Sequence, residues 1–180
     1  WQHNSVSAAP LLLNDRMYIE YYNKNNLIVQ ALRARDAFVL WTFKTSLDSS
    51  PLIIENGVAY PLAPYPSQGH IVTALDSNNG AELWQYTLST TQSQNISIEG
   101  IQDKVYVMIF SNAQTQNTDL YVLSIHTGLS LWHTKASNVQ IIQNNIMCII
   151  ASDGTLKALN ADDGHEIWHY KSTNGSYWSP

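Results

Sequence analysis

Cysteine is almost absent. The 180 residues carry one, Cys148, so no disulfide can form within the chain. It sits in the apolar run Ile146–Ala151, where a free thiol reads as a small buried core residue. Charge is scarce as well. Only 13% of residues are Asp, Glu, Lys or Arg, and the nine Lys and Arg are scattered along a chain of net charge −5. Nucleic acid needs a basic stripe, so the composition argues against it as a partner. No stretch approaches the roughly 18 apolar residues of a membrane span. No window has a helical period, and neither a G-x-S-x-G elbow nor a phosphate loop occurs. Asn, Gln, Ser and Thr fill the place of the missing charge, a polar and Lys-poor composition that fits an exported or cell-surface protein.

What the chain has instead is one phrase, repeated. Its clearest copy runs from Ala74 through Asp76 and Gly80 to Trp84, and its last from Ala158 through Asn160 and Gly164 to Trp168. Two copies are worn. One keeps Gly128 and Trp132 but opens on Val122. The other keeps Ala31 and Trp41 but has Ala37 in place of the glycine. The tryptophans are 43, 48 and 36 residues apart, the length of a four-stranded propeller blade. Apolar residues lead into each phrase, and a second strand carrying the Trp follows it. The turn residues explain the reversal between them. Glycine accepts positive φ, and Asp or Asn bonds to its own backbone across a turn. The small Ala and the large Trp, repeated together, predict that a ring packs over the small position of a neighbouring blade.

Two further strands precede each hairpin: Ala8–Leu13 and Arg16–Tyr22, Pro51–Glu55 and Gly57–Leu62, Ser97–Gln102 and Lys104–Phe110, Val139–Gln143 and Ile146–Ala151. Short Asn, Asp and Gly turns join them. The fold class is therefore all-β: a β-propeller of four-stranded antiparallel blades, four in this chain, forming one domain over 1–180. The blades are expected at 7–45, 49–88, 96–136 and 138–172. Trp1-Gln-His reads as the tail of an earlier blade and 173–180 as the start of a further one, so the chain reads as a fragment or half of a larger propeller.

The phrase Ala-x-Asp-x-x-x-Gly-x-x-x-Trp resembles the docking motif of the PQQ-repeat (quinoprotein-like) β-propellers, and the hairpin from Ser152 to Trp168 resembles that repeat closely. The resemblance implies six to eight blades in the whole protein. It also implies structural blade-docking roles for Trp41, Trp84, Trp132 and Trp168, for Ala31, Ala74 and Ala158, and for Gly80, Gly128 and Gly164. It raises the question of PQQ with calcium. In the family's alcohol dehydrogenases the quinone lies between a Trp and an adjacent cysteine pair. This chain has no such pair, and blade docking accounts for its motif tryptophans, so no cofactor is expected.

Other chemistry reads as structural. His165 and His169 lie four apart on a strand, roughly 13 Å, too far for one metal ion. His133 and His169 each follow a docking Trp, in the slot held elsewhere by Gln85 and Thr42, and read as polar sheet-surface residues. His126 lies near a turn and reads as solvated. Asp162-Asp163 and Asp153-Gly154 are turn pairs, and Asp76 and Asn160 are turn formers. Asn95-Ile-Ser97 and Asn174-Gly-Ser176 match glycosylation sequons, a pattern common by chance.

Loop variation remains. Insertions at 63–70 and 111–118 interrupt the second and third repeats, and such insertions often mark a binding face. Tyr65, between two prolines, reads as a rigid exposed anchor and, with His70, marks a partner-contact loop. The function expected is a non-catalytic scaffold for protein interaction, assembly or sensing, in the periplasm, outside the cell or on its surface. The alternatives are a fragment of a PQQ-dependent oxidoreductase or a ligand-binding propeller. A bare blade face drives association, so the chain is expected either to close on itself or to pair as a homodimer completing an eight-bladed ring.

Overall fold

The computed structural model describes residues 9–23, 26–46, 52–65, 69–88, 95–110, 118–141 and 145–171. The expected segments at Trp1-Gln-His and 173–180, and the insertion at 111–117, lie outside them. Among the described residues every regular element is a strand, and the strands form four antiparallel sheets. The first runs β1 (Leu11–Leu13), β2 (Arg16–Asn23), β3 (Asn26–Arg33), β4 (Val39–Ser46). The second holds β5 (Ile53–Glu55), β6 (Val58–Tyr60), β7 (Leu62–Tyr65), β8 (Gly69–Asp76) and β9 (Glu82–Leu88). The third is β10 (Asn95–Ile101), β11 (Lys104–Phe110), β12 (Thr118–Ser124), β13 (Ser130–Ala136). The fourth is β14 (Asn138–Ile141), β15 (Ile146–Ile150), β16 (Leu156–Asn160), β17 (Glu166–Tyr170).

The second sheet has an extra segment for a local reason. Strands β6 and β7 pair with β8 along one line, Ala59 opposite Leu75 and Leu62 opposite Val72. They are one strand interrupted at Pro61, which has no N–H to give. The same ladder corrects the expected loop at 63–70. Pro64 pairs with His70 and Tyr65 with Gly69, so the backbone of both candidate contact residues belongs to a hairpin stem. Strand β7 has β8 as its one described neighbour, an edge position where proline is tolerated. The side chains of Tyr65 and His70 lie outside the described set.

By its contacts the chain divides into two compact units, one of residues 1–93, 99–102 and 126–128, the other of 94–98, 103–125 and 129–180. The core of the first gathers Tyr18, Leu27, Val29, Ala31, Trp41, Leu52, Ala59 and Leu75. In the second, Val105, Val107, Leu120, Val122, Met147 and Ala158 are fully buried, from alternate positions of their strands. Cys148 is half-buried, not in the core as its sequence context suggests. Met147 and Ile149 on either side of it point inward, so strand alternation turns the thiol to the other face.

Candidate functional site

The repeated phrase builds one local structure four times. Asp76 accepts a hydrogen bond from Asn78 N at 2.7 Å, and Asn79 from Ala81 N at 2.8 Å. In the fourth sheet Asn160 and Asp163 do the same for Asp162 N and His165 N. These short side chains fold the turn over themselves. The fifth turn residue then takes a left-handed backbone, with φ +72° at Gly80, +68° at Gly128 and +73° at Gly164. After the turn the ladder skips one residue. Leu40, Leu83, Leu131 and Ile167 are bulged out, next to register shifts at Ala31/Leu32, Ala74/Leu75, Val122/Leu123 and Ala158/Leu159. All four are exposed, at 38–48%.

The bulge sets where each Trp points. Trp41, Trp84 and Trp168 stand opposite Ala31, Ala74 and Ala158 in their own sheets, and Trp132 stands opposite Val122. The small residue is therefore the ring's partner within the sheet. The position the ring overlies in the next phrase is the glycine. A β-carbon placed on Gly80 would lie 2.7 Å from the Trp41 ring, one on Gly128 2.5 Å from Trp84, and one on Gly164 2.8 Å from Trp132. Indole N–H groups complete two of these contacts. Trp41 Nε1 donates to Ser77 O at 2.9 Å, and Trp132 Nε1 to Ala161 O at 3.0 Å. Trp41 and Trp84 are 7% exposed, whereas Trp168 is 46% exposed.

A tyrosine slot accompanies the ring. Tyr18 tilts against Trp41 at 6.0 Å and donates to the same Ser77 carbonyl at 3.2 Å. Tyr60 tilts against Trp84 at 5.9 Å, and burial, helped by the charge of Glu55, raises its pKa. Tyr106 pairs with Val122, opposite Trp132. Cys148 fills the slot in the fourth sheet, level with Ala158 and Trp168. The signal was present in the sequence as Tyr18, Tyr60, Tyr106 and Cys148, each two residues into the second strand of its repeat.

Two charged contacts were not legible beforehand. Lys104 is 4% exposed, yet its ammonium lies 2.8 Å from Asp103 and 2.7 Å from Asp162. Burial pulls its pKa down, but the hydrogen bonds to the two carboxylates raise it overall. The bond from Lys104, with one from Asn145, holds Asp162 below the usual carboxylate range. Asp162 thus does more than form a turn. Glu20 is buried and accepts from Leu52 N at 3.1 Å; burial pushes its pKa up against that bond.

The histidines serve as sheet-surface partners. His133 stacks on Tyr121 at 4.3 Å and meets Asp119 at 3.2 Å, and His169 meets Glu166 at 2.7 Å. Among the described residues no three His, Cys, Asp or Glu side chains gather as a metal-binding group. A surface depression of about 300 Å³ is lined, among the described residues, by Asn23, Asn26, Ile28 and Lys44. The sequence has one thiol and no cysteine pair, and glycines lie against the rings of Trp41, Trp84 and Trp132.

Four-stranded antiparallel sheets, each ending in a bulged Trp strand, define a PQQ-repeat β-propeller. The chain belongs to the family of outer membrane protein assembly factor BamB, whose model matches residues 2–140 and 102–178. It is similar to the BamB proteins of Salmonella typhimurium strain LT2 (25% identity over 138 residues; 74% of this chain, 31% of the relative) and Moranella endobia strain PCIT (23% over 172 residues; 91% and 43%). The chain spans less than half the length of these relatives. Among solved structures it resembles a europium-containing methanol dehydrogenase (TM-score 0.63, 16% identity, 90% of this chain and 41% of that one). It also resembles the quinohemoprotein alcohol dehydrogenase of Comamonas testosteroni (TM-score 0.63, 16%, 97% and 36%). At that identity the likeness is one of fold.

Proposed function

We propose that this chain is part of a non-catalytic propeller that acts as a protein-binding scaffold in the assembly of outer-membrane proteins, on the periplasmic side. The observation that carries the reading is the family match over most of the chain. The surface supports it. Each sheet offers an apolar residue at its bulge, Leu40, Leu83, Leu131 or Ile167, and the first sheet adds exposed Phe38 and Val39. Exposed apolar side chains on a rigid strand are suited to a protein partner. The hairpin stem carrying Tyr65 and His70 is a second candidate contact. The tryptophans and glycines of the phrase hold sheet to sheet.

The test is depletion of the full-length parent protein in its own cells. Levels of β-barrel proteins in the outer membrane should fall. Unchanged barrel levels, with loss of a quinone-dependent alcohol oxidation instead, would overturn the reading.

A further inference from the structure

The sequence has three arginines, Arg16, Arg33 and Arg35, and the fold brings all three to one end of the first sheet. Arg16 opens β2 and stands opposite Arg33, the last residue of β3. Ala34 N donates to Asp15 O at 2.9 Å, so the hydrogen bonds belong to the neighbouring pair and Arg16 and Arg33 form a non-hydrogen-bonded one. Such pairs bring the Cα atoms to about 4.5 Å, with both side chains on one face. Like charges directly opposite destabilise a sheet. The equivalent pairs in the other sheets avoid this: Val58 with Asp76, Lys104 with Ser124, and Ile146 with Asn160.

Carboxylates do not balance the arginines. Lys104, at the place of Arg16 in the third sheet, meets two of them, Asp103 and Asp162. Around Arg16, Arg33 and Arg35 the described carboxylates are Asp36 and Asp15. Asp36 accepts from Arg33 Nε at 2.9 Å and lies 3.8 Å from Arg35 Nε, and Asp15 adds its charge beside Arg33. The residue at the place of Asp162 in the second repeat is the neutral Asn78. Arg16 Nε is buried and has no hydrogen-bond partner among the described residues. A buried donor without a partner is costly, so this end of the sheet is suited to one more negative group.

Apolar surface lies beside the charge. The Arg33 guanidinium sits over the Phe38 ring, 5.0 Å from its centroid, which restrains the plane of the fork. Phe38, Val39 and Leu40 are all exposed. Guanidinium groups grip a carboxylate through paired N–H bonds. We propose that Arg16 and Arg33 together take one carboxylate from a protein partner, an Asp or Glu side chain whose apolar neighbours settle on Phe38, Val39 and Leu40. A lipid surface is the poorer match. Basic sites for anionic lipid carry about four to eight Lys or Arg, whereas two of the three arginines here already share Asp36. That the partner is a protein rests on the scaffold reading above; the carboxylate site rests on the arginine pair.

Two short peptides, labelled and capped at both ends, test the site. One carries a glutamate between leucines and the other a glutamine in its place. Each is titrated against the full-length parent protein by fluorescence anisotropy. The glutamate peptide should bind at least about tenfold more tightly, the size of a charge-assisted hydrogen-bonded contact. R16Q and R33Q should each remove that preference. K44Q, which takes the same charge from the far end of β4, should keep it. No saturable binding of the glutamate peptide, equal affinity for the two peptides, or an unchanged preference in both R16Q and R33Q would overturn the proposal. So would binding to phosphatidylglycerol vesicles that R33Q abolishes, with no preference between the peptides. Thermal melts show that each variant is folded. The peptides test the arginine pair and depletion tests the scaffold, so either can fail without the other.

Discussion

At the scale of single residues, one turn position carries opposite demands in different repeats. Gly80 needs both its positive φ and its missing side chain, because Trp41 lies over it. Gly80→Ala should cost about 2–5 kcal/mol, the sum of left-handed strain and overpacking against a ring. The same exchange in reverse, Ala37→Gly, should stabilise by up to about 1 kcal/mol, since strain relief outweighs the added freedom of the unfolded chain. Denaturant unfolding of both variants checks the pair. Glu20 makes a separate prediction. Its folded pKa is raised above the ordinary 4.5, so the stability tied to its neutral form is fully present below pH 4.5. That stability is lost as pH rises through the folded value. Glu20→Gln keeps an acceptor for Leu52 N and should flatten this slope, leaving the variant more stable than the parent at pH 7. A stability–pH profile of equal slope in both chains would count against the assignment.

At the scale of elements, burial ranks the four tryptophan strands. Trp41→Ala should cost about 3–5 kcal/mol, because the ring is buried and its N–H has a partner. Trp168→Ala should cost far less in the isolated chain, because that ring is largely open to water. Asp162 ties a second contact to this scale, as it joins the turn after β16 to Lys104 at the head of β11. Its pKa is lowered, so its contribution is present above the ordinary 3.8 and is lost as pH falls through the folded value. Asp162→Asn should therefore lower the melting temperature at pH 7 and have little effect near pH 2. The elements themselves were largely legible in the sequence. Turn residues and alternation fix β2, β4 and β11, and the repeated Trp marks the last strand of each sheet. Three features were not legible. Pro64 reads as loop, yet the pairing of Leu62–Tyr65 with Gly69–Val72 extends the ladder past it. The small Ala was expected under the ring of a neighbouring repeat and Gly80 only in the turn, whereas Trp41 stands opposite Ala31 in its own sheet and lies over Gly80, next to a bulge that has no sequence signature here. Lys104 looked like one more scattered cation, because its partner Asp162 is 58 residues away in sequence.

At the scale of the whole molecule, fold and function separate. The fold of this chain is like that of two dehydrogenases while its family is that of an assembly factor, so fold alone does not decide function. Here the rings of Trp41, Trp84 and Trp132 lie against glycine turns. Adding PQQ and calcium should accordingly give no stoichiometric bound quinone by absorbance after desalting. What the sheets do offer is a bulged apolar residue on each last strand, and the scaffold reading depends on those residues meeting another protein. The most direct measurement places a photo-crosslinking amino acid at Leu131 in the full-length parent protein and irradiates living cells. The account predicts an adduct with a protein of the outer-membrane assembly machinery, absent when the crosslinker is moved to buried Leu123. An unmodified parent protein at position 131, alongside unchanged outer-membrane barrel levels on depletion, would contradict it.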